Sequence, residues 1–91
     1  MSDTEILTLL KIDLGEQFAS DERVTFLGQA IAAAQSFIRR EGVTLTDSVE
    51  DGQLVEMYAA FLVRKRNTGE GMPRSLRWAL NNRLMGQKAG G

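Results

Sequence analysis

Ninety-one residues, 43% apolar and 25% charged, suit one globular domain with a single modest core, too small for two and too apolar for disorder. The absence of Cys and His excludes disulfides, thiolate or imidazole metal ligands, and the commonest catalytic bases and nucleophiles, so no enzyme, metal or cofactor is expected. No apolar run nears the roughly 20 residues that cross a bilayer, and Met1-Ser2-Asp3-Thr4-Glu5 lacks a basic leader, so a soluble protein in the cytoplasm of the producing cell is expected.

The net charge of −1 hides a split. Residues 1–52 hold ten acids against four bases, net −6, and residues 53–91 hold two acids against seven bases, net +5. Acids favour helix N-termini and bases favour C-termini, which accounts for part of this. The remainder could let two unlike faces pair head to tail between copies.

Long helical patterns, one Pro and few β-branched runs predict an all-α bundle of about four helices: a short first helix, two long ones and a short last one. Ser2-Asp3-Thr4-Glu5 fits a capping box for the first, which carries Ile6, Leu7, Leu9 and Leu10 and stops around Asp13–Gly15. Two turns cannot persist alone in water, so this helix must dock. A polar link follows over 15–20, with Phe18 expected to tuck into the core.

Ser20 or Asp21 caps the second helix. Val24, Leu27, Ile31, Ala34 and Ile38 form one stripe, and Phe26, Ala30, Ala33 and Phe37 a second beside it. So wide an apolar arc belongs to a helix that is central in the domain or shared with a neighbour. Arg39 and Arg40 end it, with Gly42 as a left-handed cap.

Val43 and Leu45 in the next link are expected to face inward. Asp47-Ser48-Val49-Glu50 offers a second capping box, although Gly52 would let the third helix start as late as Gln53. That helix runs to about Asn67 through Leu54, Val55, Tyr58, Phe61 and Leu62, and ends in Arg64-Lys65-Arg66. Met72-Pro73 restarts the last helix, since Pro fits a first turn. It extends to about Met85 with Leu76, Ala79, Leu80 and Leu84 inward and Trp78 off that face. Residues 1–85 are thus expected to form the domain, and 86–91 a flexible Gly-rich tail.

Arg64, Lys65, Arg66, Arg74, Arg77 and Arg83 could grip phosphates, but bases at a helix C-terminus equally complement its dipole, and a pI near 5.4 argues against free-standing DNA binding. Gly69-Glu70-Gly71 lacks the preceding strand and following Gly-Lys-Ser/Thr of a phosphate loop. Trp78 is the best single sign of a partner, because Trp flanked by Arg is a common binding anchor. Its alternative is packing sideways on residues 67–72 or on the first helix.

In order, the Ile6-Leu7-Thr8-Leu9-Leu10-Lys11-Ile12-Asp13 opening, the Leu27 to Ile38 helix, the Leu54-Val55…Tyr58…Leu62-Val63-Arg64 helix and the Met72-Pro73 restart resemble the head–tail connector (adaptor) family of tailed bacteriophages, over residues 5–85. The resemblance implies a non-catalytic structural virion protein at the neck. It would form a ring, commonly of twelve copies, under the portal protein, extend the channel for packaged double-stranded DNA, and offer a platform to a stopper or tail-completion protein. On this reading Arg74, Arg77, Trp78, Arg83 and Lys88 are the expected portal contacts. Asp21, Glu22, Phe26, Phe37, Arg64, Lys65 and Arg66 are the expected subunit interface, and DNA would be touched without sequence preference. Two other readings stay open. One is a small helix-turn-helix regulator using Arg77, Asn81, Asn82 and Arg83; the other is an antitoxin-like helical interaction protein.

Overall fold

The computed structural model describes residues 1–90, which hold four helices and no strand: α1 (Asp3–Asp13), α2 (Asp21–Arg40), α3 (Val49–Thr68) and α4 (Arg74–Ala89). The starts follow local chemistry. Ser2 accepts from the Glu5 N–H while the Glu5 carboxylate accepts from the Ser2 N–H, completing the expected capping box. Ser20 caps α2, and Ser48, not Asp47, caps α3. Both long helices place acids in the first turn and bases in the last, where each complements the helix dipole. Gly69, at φ 72°, closes α3 in the left-handed region that β-carbons disfavour.

The hub is α3, not α2. It packs on all three other helices, most extensively on α2. Leu54, Val55, Tyr58, Ala59, Ala60, Phe61 and Val63 are buried around most of its circumference, the pattern of a central helix. In contrast, α2 buries only Leu27, Ile31, Ala34 and Ile38, and its second stripe stays partly open. Phe37 stacks on Tyr58 at 5.9 Å, and Phe61 meets Tyr58 edge-on, so an aromatic file runs along the α2–α3 seam. Ile6 and Leu10 dock α1, and Leu76 and Leu80 dock α4. Val43 is buried and Leu45 half-buried in the α2–α3 link, as expected.

Three expectations fail for physical reasons. Phe18 does not enter the core: its relative exposure is 101%. The Gly15–Ser20 link is instead set by Glu16, which takes a bidentate pair from Arg23 at 2.6 and 2.8 Å. Gly52 does not delay α3, because it lies within the helix where Met1 crosses it so closely that a β-carbon would collide with the Met1 side chain. The last helix also runs a turn past Met85 to Ala89, since the Gln87 amide bridges the Gly42 carbonyl and Thr44 N–H. Gly91, the end of the expected tail, lies outside the described residues.

The molecule measures 42 × 28 × 18 Å. Leu10 is fully buried between α1 and its supports. Leu10→Ala should cost about 2–4 kcal/mol and speed amide exchange selectively in α1, as read by thermal unfolding and hydrogen exchange.

Candidate functional site

The helical period divides α4 into two faces. Leu76, Leu80, Arg83 and Gln87 look toward α3 and the α2–α3 link. Arg74, Arg77, Trp78, Asn81, Met85 and Lys88 share the outward side. At the centre of that side Trp78 is 68% and Met85 67% exposed, so neither belongs to the core. Trp78 also walls a groove of about 590 Å³ between α3 and α4, whose floor includes Leu54, Met57 and Ala79. Met85 entered the sequence reading only as the end of the last helix; its place seven residues after Trp78 was the available signal.

The face is held by one buried polar network. Asp51, 1% exposed, accepts from Arg83 Nε at 2.6 Å and Nη2 at 3.1 Å. The Thr46 N–H and hydroxyl donate to the same carboxylate at 2.7 and 2.9 Å. Arg83 also donates to the Thr44 carbonyl at 2.9 Å. Burial alone would push the Asp51 carboxyl up, but the Arg83 guanidinium and both Thr46 donors outweigh it and hold the acid below its usual range. Its carboxylate raises Arg83 in turn.

The other anticipated residues divide. Arg77 is exposed and bonds Glu41 at 2.7 Å, while Arg64 bonds Asp13 at 3.1 Å. Three of the seven bases after residue 52 are therefore paired with acids of the first half inside one chain. Arg83 is committed to Asp51 and the Thr44 carbonyl, and lines the same α3–α4 groove as Trp78. Lys65 and Arg66 stand over the Phe61 and Phe26 rings at 5.7 and 5.0 Å. Phe26, Phe37 and Arg66 line a smaller groove between α2 and α3, and Asp21 and Glu22 are exposed at the head of α2. Arg74 and Lys88 are exposed at opposite ends of α4.

A half-buried acid, Glu56, has a different fate. Burial chiefly, then hydrogen bonding to Asp13 and its charge, push Glu56 up to about 8 against the partial help of Arg64. Glu56 Oε2 is buried with no hydrogen-bond partner. No group of three or more His, Cys, Asp or Glu side chains able to hold a metal ion occurs among the described residues. No helix among them is long and apolar enough to cross a membrane.

Two predictions follow from these acids. Arg83→Ala leaves Asp51 buried and uncompensated, so it should cost about 3–5 kcal/mol in chemical denaturation at neutral pH. Asp51 has a lowered folded pKa, so its stabilisation is present above the unfolded value and disappears as pH falls through the folded one; the variant should lose that acid-side dependence. Glu56 has the opposite sign. Its folded state binds the extra proton between about 4.5 and 8, so stability declines as pH rises across that window. Glu56→Gln should flatten the decline and gain about 1–2 kcal/mol near pH 8, part of the shift being screened by solvent. A denaturation series from about pH 2 to 9 reads both signs, Asp51 at its acid end and Glu56 between about 4.5 and 8.

No family model, curated protein or solved structure matches this chain.

Proposed function

We propose that this protein is a head–tail connector, a structural ring subunit between the portal and the tail-completion proteins of a tailed phage. The outward face of α4 carries the reading. It presents Trp78 and Met85 to solvent on a helix fixed from behind, with Arg74 and Lys88 at its ends and Arg77 beside them. A large exposed aromatic flanked by cations is suited to a protein surface with an apolar pocket and acidic rim. A DNA-reading helix would instead present hydrogen-bond donors at its centre. Trp78 and Met85 occupy that centre, and Arg83 is committed to Asp51. The portal is the proposed partner on this side, and the stopper or tail-completion protein the partner on the far side. The resemblance over residues 5–85 supplies the rest: a neck location in the virion, assembly from the host cytoplasm, and a channel for double-stranded DNA contacted without sequence preference.

Trp78→Ala and Met85→Ala should each weaken binding to purified portal roughly tenfold or more while leaving the melting temperature within a few degrees, because neither side chain belongs to the core. Unchanged portal binding by the double variant would remove α4 from the interface. A gold-labelled copy should appear at the single vertex between head and tail. Label absent from every particle would overturn the connector reading.

A further inference from the structure

One exposed aromatic is ordinary on a protein surface. Phe18 differs because it is held out. Glu16 clamps Arg23 through two bonds at 2.6 and 2.8 Å. The backbone is fixed on both sides, with the Glu16 N–H on the Lys11 carbonyl at 2.7 Å and the Ala19 N–H on the Glu16 carbonyl at 3.2 Å. The loop therefore presents Phe18 as an exposed knob on a hydrogen-bonded support. Immediately after it, Asp21 and Glu22 are exposed at the N-terminus of α2, with no ion-pair partner among the described residues.

The same molecule carries a fitting hole. The second stripe of α2 and the end of α3 enclose an open groove of about 270 Å³, with Ala30 and Ala33 forming its narrow middle and Phe26 and Phe37 its ends. Guanidiniums edge it, Arg23 over the Phe26 ring at 4.9 Å being already paired with Glu16. Arg66 lies over the Phe26 ring at 5.0 Å and Arg40 over Phe37 at 5.5 Å, and neither has a carboxylate partner among the described residues. An apolar floor with guanidinium edges accepts an apolar knob flanked by carboxylates, and this chain supplies one.

We propose that Phe18 of one copy inserts into the α2–α3 groove of a second copy, with Asp21 and Glu22 against Arg40 and Arg66. Knob and groove are different surfaces, so the contact is heterologous: each copy uses both, and successive copies extend until they close. The pairwise contact stands on the charge and shape just described. Only its closure into a ring rests on the connector reading.

The test is complementation. Wild-type protein should self-associate at sub-millimolar concentration in low salt by sedimentation velocity, and less so as salt rises. Phe18→Ser should weaken association about tenfold to a hundredfold without lowering the melting temperature, because the ring is fully exposed in the free chain. Ala33→Glu should block the groove. Neither variant should associate alone, yet an equimolar mixture should form a 1:1 heterodimer and nothing larger, since only one knob and one groove remain intact. Undiminished self-association by Phe18→Ser, a wild type that stays monomeric throughout, or a mixture that fails to pair while both variants remain folded would overturn the contact. Vertex labelling of phage particles is independent of these outcomes. Label without knob-in-groove pairing removes only this contact, and pairing without label removes the connector reading.

Discussion

The pairing of Asp51 with Arg83 is the interaction on which the arrangement of α4 depends. Only Leu76 and Leu80 of α4 are fully buried, little apolar surface for a helix of 16 residues. A guanidinium locked between Asp51 and the Thr44 carbonyl supplies directional restraint that two leucines lack. The same carboxylate orders the link from α2 through Thr46, so one side chain fixes both the helix and the turn beneath it. A buried ion pair contributes modestly to net stability against an apolar replacement of equal size. Its value here is geometric: it decides which side of α4 faces outward.

That network also changes the meaning of the charge split. A chain with net −6 in one part and +5 in the other suggests a strongly dipolar particle. In the fold, Asp13, Glu41 and Asp51 of the acidic part meet Arg64, Arg77 and Arg83 of the basic part across helix boundaries. Much of the asymmetry thus joins the chain to itself. What remains outward includes acids at the heads of α1, α2 and α3, and cations along the α2–α3 groove and at the ends of α4.

The bundle was legible in the sequence because its signals are short in range. Ser2, Ser20 and Ser48 mark three starts, and the spacing of Leu27, Ile31, Ala34 and Ile38 identifies the buried side of α2. Trp78 could be placed off the inward stripe by the same period. Phe18, expected in the core, stands outside it, since its position is set by a clamp between Glu16 and Arg23 that no apolar pattern encodes. Gly52 was misread for a related reason: a helix-weakening residue was needed where Met1 approaches from 51 positions earlier. Centrality also escaped the pattern. The arc of α2 is the tidier stripe, yet α3, apolar around most of its girth, occupies the middle. Long-range packing decides which of two apolar helices is enclosed.

The start of α4 has a dynamic consequence. Pro73 supplies no side-chain cap, and the first turn has no acid to complement the dipole, unlike the other three helices. The helix is thereby divided into a weakly anchored entrance and a firmly tied exit, where Arg83 and Gln87 hold the link. Local opening should travel from Pro73 inward and halt at the ion pair, making the front of α4 the lowest-energy cooperative unit in the fold. A partner that grips Trp78 binds only the closed form, so occupancy itself would suppress that opening and convert a fraying segment into part of the rigid body.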